Sequence, residues 1–472
     1  MFYRLKQSYM LRGWKYMPWV LVKRPRNKTV TLSREQFQVL LLCDGGTDVT
    51  PDLVDETMEK TLQQCEEKGW IETCSEPQPL DQDQYYRYFK NRYVESVFWS
   101  ITGKCNYRCR HCYMDAPEGA LGELSTEQAL NLIDQMAACG VLSVDITGGE
   151  PFVRRDFWQL VDRILSYKMT IGMVYTNGWM LNASVLDGFE SRGLKPEISI
   201  SFDGVGWHDW MRGIPGAEKA ALQALKLCQE RGFSTNVEMC IHKGNQNLIA
   251  QTVEALGAVG VTKIKASKVS MTDLWHRNCE GNAMSESEYA EAVIRYIPQY
   301  YAAGCPAEFQ FGGAIMLHRD GSYWLLPERY KDEEKSQNAY LCGSARWACY
   351  ITPDGRLLPC MPMTSSPREV QERFPLVQEI GLQKGLDDSF YMEFVDRRVK
   401  DLLAVNKECA ACEHRLTCGG GCRAMALEYD HNLMGCDRGA CQILKGGYAE
   451  RVRKTAEKAR AAYENRKKES AV

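Results

Sequence analysis

Three cysteines near residue 110 have a spacing that suits a metal cluster. Cys105, Cys109 and Cys112 are separated by three and then two residues, and His111 places an aromatic ring before the last of them. A [4Fe–4S] cluster takes four ligands, usually cysteine thiolates. Three thiols on one loop would therefore leave one iron open. The alternatives are a zinc site that lacks one ligand, or three buried thiols.

Two further groups of cysteines lie in the last third of the chain. The looser group and the denser group are Cys342, Cys349, Cys360 and Cys409, Cys412, Cys418, Cys422, Cys436, Cys441. In a reducing cytosol such groups indicate metal ligands or catalytic thiols rather than disulfides. The dense group also suits a zinc ribbon, because paired cysteines fit tetrahedral zinc.

Length and composition restrict the class of protein. The chain has 472 residues, of which 44% are hydrophobic and 25% charged, so two to four folded domains are expected. The net charge of −3 gives no general attraction to nucleic acid or anionic membrane. We find no targeting signal and no run of about 18 apolar residues. The sequence predicts a cytoplasmic protein with neither a nucleic-acid nor a membrane partner.

The middle of the chain must position the first three cysteines. β-rich runs alternate there with amphipathic helices, which predicts a parallel sheet in an α/β fold. The predicted strands are 97–102, 141–147, 171–177, 197–203, 235–242 and 262–269, and the predicted helices are 125–138, 155–167, 183–191, 216–231, 246–259 and 285–302. Six such units favour a partial (β/α)6 TIM-like barrel over residues 91–310, with active residues at the carboxyl ends of the strands.

Residues 1–90 are predicted to form a separate winged-helix-like α+β domain. Strands at 18–23 and 28–32 precede a helix that opens with a capping box at Ser33 and Gln36, and a second helix covers about 52–68. Residues 81–95 are predicted to be a linker or a linking helix. Residues 1–34 hold nine Lys and Arg and no acidic residue, whereas 35–83 hold thirteen acidic residues and two Lys.

The rest of the chain divides into three segments. Residues 311–339 are a connecting segment, 340–447 a cysteine-rich domain and 448–472 a charged C-terminal helix. A domain with many cysteines and many loops is often held together by metal instead of a large core.

The cysteine loop, together with Gly148-Gly149-Glu150-Pro151, resembles the radical S-adenosylmethionine (SAM) superfamily from about residue 97 to 270. The resemblance implies a [4Fe–4S] cluster on the three-cysteine loop and reductive cleavage of SAM to a 5′-deoxyadenosyl radical. It places the Gly-Gly-Glu loop at the SAM amino group. It also implies SAM contacts from Gly148, Gly149, Glu150, Asn177, Ser201, Asp203 and Arg212. Arg212 would pair with the SAM carboxylate, with an exposed surface arginine as the alternative.

The dense cysteine array resembles the SPASM domain of radical SAM peptide-modifying enzymes over about 340–445. That resemblance implies two auxiliary [4Fe–4S] clusters, and so three clusters in all. Carried over by position, the first auxiliary cluster would be held by Cys342, Cys349, Cys360 and Cys422. The second would be held by Cys409, Cys412, Cys418 and Cys441. Cys436 is an alternative to Cys441.

Residues 18–73 resemble the PqqD-like precursor-recognition element of peptide maturases. An exposed strand edge can accept an extended peptide, and the basic residues beside it would attract an acidic leader. A DNA-binding winged helix and a simple docking domain are the alternatives, although the acidic second half of the unit argues against a broad phosphate-binding face.

These resemblances together predict a peptide maturase. The enzyme would modify a ribosomally made precursor peptide with a leader, forming a thioether or a carbon–carbon cross-link. Flavodoxin or ferredoxin would supply electrons. A second hypothesis is sulfatase-maturase-like oxidation of Cys or Ser to formylglycine, but Met361 stands where those enzymes place an acidic base. A hypothesis of another class is a non-catalytic electron-transfer or zinc-binding protein.

Overall fold

The N-terminal part of the chain forms two small sheets and two helices in the computed structural model, which describes residues 1–114, 116, 121–325 and 332–470. The elements are β1 (Phe2–Leu5), β2 (Tyr9–Lys15), β3 (Met17–Lys23), β4 (Lys28–Thr31), α1 (Arg34–Leu42), β5 (Asp44–Asp48), α2 (Glu56–Glu67), β6 (Ile71–Cys74) and β7 (Arg87–Arg92). The sheets have the strand orders β5-β1-β6 and β4-β3-β2-β7. The two strands and two helices predicted here are confirmed as β3, β4, α1 and α2.

The prediction of a linker or linking helix over 81–95 is wrong. Residues 87–92 form β7, which pairs in parallel with β2 through Gly13 opposite Tyr88 and Trp14 opposite Phe89. Aromatic residues favour strands, and this segment contains four of them between 85 and 89. β7 also runs across the domain boundary predicted at residue 90.

The predicted capping box is confirmed. The Gln36 amide donates to Ser33 Oγ at 3.2 Å, and the Ser33 amide donates to Gln36 Oε1 at 3.0 Å. This reciprocal pair satisfies backbone donors that the first turn of α1 would otherwise leave without partners.

The largest feature among the described residues is an eleven-stranded sheet. Its six neighbouring parallel strands are β8 (Ser96–Ser100), β9 (Ser143–Thr147), β10 (Thr170–Thr176), β11 (Glu197–Ser201), β12 (Thr235–Ile241) and β13 (Lys263–Lys268). They confirm the six predicted strands, mostly to within two residues at each end. The fold is therefore mixed α/β with a large parallel sheet.

Helices connect these strands at the predicted positions. They are α3 (Thr126–Ala138), α4 (Phe157–Ser166), α5 (Ala183–Glu190), α6 (His208–Arg212), α7 (Ala217–Glu230), α8 (Ile249–Ala258), α9 (Asp273–Asn278) and α10 (Glu286–Ala302). α6 and α9 are short additional helices that follow the carboxyl ends of β11 and β13. The main apolar core lies between the sheet and the longer helices, where Leu132, Val144 and Ile200 are almost completely buried.

The remaining strands extend both edges of the large sheet. β14 (Glu308–Phe311) continues the parallel run beside β13, and β15 (Ile315–Leu317) and β16 (Tyr323–Leu325) add antiparallel strands. At the other edge β17 (Ala348–Ile351) pairs in parallel with β8, and β18 (Leu357–Leu358) pairs with β17. The cysteine-rich segment is thus joined to the sheet beside the strand that precedes Cys105.

The C-terminal segment is mostly short helices. They are α11 (Glu333–Asn338), α12 (Arg368–Gln371), α13 (Val377–Ile380), α14 (Leu382–Leu386), α15 (Ser389–Asp396), α16 (Val399–Val405), α17 (Lys407–Ala410), α18 (Arg415–Cys418), α19 (Arg423–Asp430), α20 (Arg438–Lys445) and the long α21 (Tyr448–Ser470). Within the described part of the chain, none of the helices has both the length and the apolar composition needed to cross a bilayer.

The N-terminal unit packs at the amino ends of the parallel strands. The Trp14 indole donates to the Cys139 carbonyl at 3.0 Å, and the buried Asn27 amide donates to the Leu142 carbonyl at 2.7 Å. Lys168 forms an ion pair with Asp83 at 2.9 Å. This face lies opposite the carboxyl ends of the strands, where the cysteine loop is found.

Candidate functional site

The three-cysteine loop begins just after β8 and is folded by its own backbone. The Tyr107 amide lies 3.4 Å from Cys105 Sγ, and the Ala116 amide lies 3.4 Å from Cys112 Sγ. Burial, together with the neighbouring thiolates, raises the pKa of Cys105 to about 12. A thiol buried in this way becomes a stable thiolate only beside a positive charge, and a bound metal supplies that charge.

Glycines on two neighbouring segments let the backbone of the loop approach closely. A Cβ atom on Gly149 would lie 2.1 Å from the Lys104 carbonyl oxygen, and one on Gly148 would lie 2.7 Å from the Thr102 carbonyl oxygen. On the other side, a Cβ atom on Gly213 would lie 2.3 Å from the Arg108 carbonyl oxygen. The loop is therefore held between the Gly-Gly-Glu segment and the end of α6.

Glu150 and Asn177 lie beside the first cysteine. The fully buried Glu150 carboxylate accepts hydrogen bonds from Thr176 Oγ1 at 2.9 Å and from the Asn177 amide at 2.8 Å. Burial raises the pKa of Glu150 to about 7. The Asn177 side chain donates to Asn106 Oδ1 at 2.7 Å and lies 3.9 Å from Cys105 Sγ. The ends of β9 and β10 thus meet at the cysteine loop.

Arg212 and Asp203 form a buried ion pair behind the second cysteine. Arg212 Nε lies 2.6 Å from Asp203 Oδ2, and Arg212 Nη1 lies 3.7 Å from Cys109 Sγ. Burial opposes ionisation of Asp203, but the Arg212 guanidinium and the neighbouring His208 together outweigh it and lower the pKa of this carboxyl. The prediction that Arg212 binds the SAM carboxylate stays a prediction. Ser201 is half-buried at the end of β11, close to this pair in sequence.

Two residues that sequence reasoning missed hold Asp203 in place. The Asp203 amide donates to His208 Nδ1 at 2.9 Å, and the Asn245 side chain donates to the Asp203 carbonyl at 2.6 Å. The spacing of His208 and Arg212 is a signal for this arrangement, because residues four apart share one face of a helix. Nothing comparable in the sequence indicates Asn245, which follows the next strand.

The structure brings three of the four cysteines predicted for the first auxiliary cluster near one another. Burial raises the pKa of Cys360, and the Cys422 and Cys342 thiolates raise it further. Cys349 lies in β17 with 1% of its surface exposed, and Arg92 and Cys139 are the charged groups that act on its thiol. The prediction that Cys349 is a fourth ligand of this cluster stays a prediction.

Five cysteines line the pocket predicted for the second auxiliary cluster. They are Cys409, Cys412, Cys418, Cys436 and Cys441. Glu408, His414 and Lys445 complete part of the wall. Both Cys436 and Cys441 therefore reach the pocket, and four thiols would suffice for one cluster.

A family model describes the central part of the chain. The model of the Radical SAM superfamily matches residues 99–256. This range begins in β8 and ends in α8, so it contains the cysteine loop, the Gly-Gly-Glu segment and Arg212. Residues 99–256 are therefore a radical SAM domain.

Other known proteins resemble larger parts of the chain. The PqqA peptide cyclase of Granulibacter bethesdensis is 26% identical over 332 residues, which are 69% of this chain and 82% of that protein. The Fe-coproporphyrin III synthase of Methanosarcina barkeri is 28% identical over 259 residues, which are 52% of this chain and 61% of that protein. The structure of Streptococcus suis SuiB bound to precursor peptide SuiA superimposes on this chain with a TM-score of 0.66 at 14% sequence identity. The match covers 93% of this chain and 100% of the SuiB chain. The last likeness shows a shared fold.

The protein is a radical SAM enzyme, and radical SAM enzymes bind a [4Fe–4S] cluster and SAM. The residues described above fit that cofactor pair. The loop carries three thiols, the buried Cys105 thiol needs a positive partner to ionise, and the glycines beside the loop leave no side chain in the way. A cluster with three protein thiolates retains one iron for SAM.

Proposed function

We propose that this radical SAM enzyme modifies a ribosomally synthesised precursor peptide and forms a thioether cross-link in it. The main support for this proposal is the likeness in fold to a structure solved with a precursor peptide. That likeness extends over 93% of the chain and not over the central domain alone. The similarity to PqqA peptide cyclase over 69% of the chain supports the same class of substrate.

We assign the first cluster to Cys105, Cys109 and Cys112 at the mouth of a partial (β/α)6 barrel. When bound, the reduced cluster and SAM supply a 5′-deoxyadenosyl radical, which takes a hydrogen atom from the peptide. The chain's own residues orient SAM. Gly148 and Gly149 admit its amino end to the backbone, and Glu150 offers a carboxylate whose buried oxygens already accept hydrogen bonds from Thr176 Oγ1 and the Asn177 amide.

We assign residues 340–447 as a SPASM domain with two auxiliary clusters, which makes three clusters in the protein. Cys342, Cys360 and Cys422 would hold the first. Cys409, Cys412, Cys418 and Cys441 would hold the second. Cys349 is left out because its thiol lies beside Arg92 and Cys139 in β17.

The count of thiols at the first auxiliary site favours a thioether over a carbon–carbon bond. Three protein thiols leave one of the four ligand positions of a [4Fe–4S] cluster without a protein thiol. A peptide cysteine is the natural group to fill it. Forming the bond removes one hydrogen atom, one proton and one electron from the peptide, and flavodoxin or ferredoxin would exchange electrons with the enzyme.

We assign leader binding to the exposed edge of β4. Its residues are largely exposed, and its outer side is an end of the sheet. Lys23 and Lys28 are register partners at one end of the β3–β4 ladder and both are exposed. Arg24 does not contribute free charge, because it pairs with Asp83 at 2.5 Å. An acidic leader that adds to this edge as a strand would form backbone hydrogen bonds with β4. It would also be attracted by the basic residues at the rim.

The sulfatase-maturase alternative has less support at the residue level. The position after Cys360 is Met361, whose sulfur accepts a hydrogen bond from the Tyr113 hydroxyl at 3.2 Å. The methionine thioether is uncharged and only a weak hydrogen-bond acceptor, so Met361 cannot act as the base for oxidising a Cys or Ser side chain.

Anaerobically reconstituted full-length protein tests the proposal. The protein is incubated with SAM, dithionite and a Cys-containing precursor peptide encoded beside its gene. We expect 5′-deoxyadenosine and a peptide that has lost two hydrogen atoms per cross-link. Tandem mass spectrometry should show resistance of the cross-linked cysteine to alkylation. A variant with Cys105, Cys109 and Cys112 changed to Ala is the control and should form neither product. Formation of 5′-deoxyadenosine with an unchanged peptide, for every neighbouring precursor, would contradict the proposed substrate class.

A further inference from the structure

Arg212 connects a buried carboxylate to a thiol of the cysteine loop. It is the last residue of α6, and 8% of its surface is exposed, whereas Asp203 is completely buried. Its Nε donates to Asp203 Oδ2 at 2.6 Å, and its Nη1 donates towards Cys109 Sγ at 3.7 Å. One planar guanidinium therefore spans the two groups, which fixes the direction of its N–H bonds.

The surroundings hold this geometry from both ends. On the carboxylate side, the Cys240 amide donates to Asp203 Oδ1 at 3.0 Å. On the loop side, the Arg108 amide donates to the Arg212 carbonyl at 3.2 Å, and the Arg110 amide donates to the Met211 carbonyl at 2.9 Å. Moving the guanidinium away would leave the Asp203 charge buried without its cationic partner, which is strongly unfavourable. Arg212 is therefore kept beside the sulfur.

We propose that Arg212 is a positioning residue that raises the reduction potential of the cluster on Cys105, Cys109 and Cys112. Reduction adds one electron to the cluster and makes it more negative. A permanent cation that donates an N–H to a ligand sulfur stabilises the reduced form more than the oxidised form. The easier reduction favours the state that cleaves SAM. This inference rests on the proposed assignment of a cluster to these cysteines, which the iron content of the triple alanine variant tests separately.

This role differs measurably from binding the SAM carboxylate. A residue that only contacts SAM changes the affinity for SAM and leaves the cluster potential of the SAM-free enzyme unchanged. A residue that acts on the cluster changes that potential without SAM. The decisive measurement is therefore a potentiometric titration of the SAM-free enzyme, followed by electron paramagnetic resonance (EPR). The signal of the loop cluster is identified in a parallel sample by its change when SAM is added.

Three variants of the full-length holoenzyme make the test specific. Arg212→Gln removes the charge, Arg212→Lys keeps it, and Arg110→Gln is the matched control. Arg110 belongs to the same loop, but its guanidinium pairs with Glu280 at 2.6 Å. In Arg212→Gln we expect the equilibrium constant for one-electron reduction to fall at least tenfold, which corresponds to about 59 mV. Arg212→Lys should lower the reduction potential by less than half as much as Arg212→Gln does. Arg110→Gln should have the wild-type reduction potential. A wild-type potential in Arg212→Gln overturns the inference.

A measurement on the wild-type protein covers the case in which Arg212→Gln does not retain iron. Protein labelled with ¹⁵N in its arginine side chains is reduced and studied by pulsed EPR. We expect a weak ¹⁵N coupling to the loop cluster that is absent from Arg212→Lys protein labelled in the same way. Absence of that coupling in the wild type overturns the inference.

Discussion

Cys436 Sγ lies 3.7 Å from Cys409 Sγ, so the two thiols are in direct contact. Cys436 is almost fully buried, at 2% exposure, and the Asn406 side-chain amide lies 3.6 Å from its sulfur. Cys441 is half-buried on α20 and lines the same pocket. The pocket therefore has one more thiol than a four-ligand cluster requires.

The first prediction separates these two cysteines. Lys445 lies one turn after Cys441 on α20 and favours its thiolate, although burial raises the pKa of Cys441 to about 11. A thiolate is the form that ligates metal. Cys441→Ser should therefore lose about four of the roughly twelve irons expected for three clusters. Cys436→Ser should keep them. The opposite pattern in iron and sulfide analysis would show that Cys436 is the ligand.

The second prediction concerns Cys349. Cys342→Ala should lose about four irons, because its thiol belongs to the Cys360 and Cys422 group. Cys349→Ala should retain full iron and lose only about 1 kcal/mol of stability from the small cavity left in β17. Mössbauer spectra of both variants check this. Equal loss of iron in the two variants would mean that Cys349 moves to the cluster when it forms.

The spacing of residues along the chain predicts the parallel sheet well and the contacts between distant segments poorly. β12 extends from Thr235 to Ile241, against a predicted range of 235–242, because alternating apolar residues are a local signal. The sequence predicts a linker where the structure has β7. The prediction fails because the pairing of β7 with β2 depends on residues more than seventy positions earlier in the chain. The positions of Cys349 and Arg212 depend in the same way on which neighbours the fold supplies. Residue type alone does not contain that information.

The third prediction is a pH dependence of stability at Asp145. This residue faces a bulge in β10 where a Cβ atom on Gly172 would lie 2.5 Å from Asp145 Oδ1. Burial raises the pKa of Asp145 from 3.8 to about 6. The folded state thus prefers the protonated acid. The resulting stabilisation is complete below about pH 4 and is lost as the pH rises through about 6.

Asp145→Asn removes this term and keeps a group that can accept a hydrogen bond. Between pH 5 and pH 8 the free energy of unfolding of the wild type should fall by about 1 kcal/mol more than that of the variant. Chemical unfolding of both proteins at the two pH values checks the difference. A constant gap between wild type and variant at both values would show that Asp145 is already ionised at pH 5.

The fourth prediction tests leader binding at the β4 edge. Changing Lys23 and Lys28 together to Glu should weaken binding of an acidic precursor at least tenfold and flatten its dependence on salt. Lys60 and Lys68 changed together to Glu are the matched control, since both belong to or directly follow α2 of the same unit. Fluorescence anisotropy with the full-length precursor measures both. Equal affinities in the two double variants would place leader binding elsewhere.

The fifth prediction uses two glycines with the same backbone conformation. Gly213 has φ +65° and Gly193 has φ +67°, so alanine at either position costs about 1–2 kcal/mol from backbone strain. Their surroundings differ. A Cβ atom on Gly213 would lie 2.3 Å from the Arg108 carbonyl oxygen, whereas one on Gly193 would have no neighbour within 4 Å. Gly213→Ala must therefore displace the cysteine loop between Cys105 and Cys109, and Gly193→Ala need not. We expect Gly213→Ala to lose more thermal stability than Gly193→Ala, because the displacement of the loop adds to the backbone strain that the two variants share. Only Gly213→Ala should lose iron from the loop cluster and at least tenfold in the rate of 5′-deoxyadenosine formation. Retention of wild-type iron and rate in Gly213→Ala would mean that the loop tolerates the displacement, and that its contact with the end of α6 does not position the thiols.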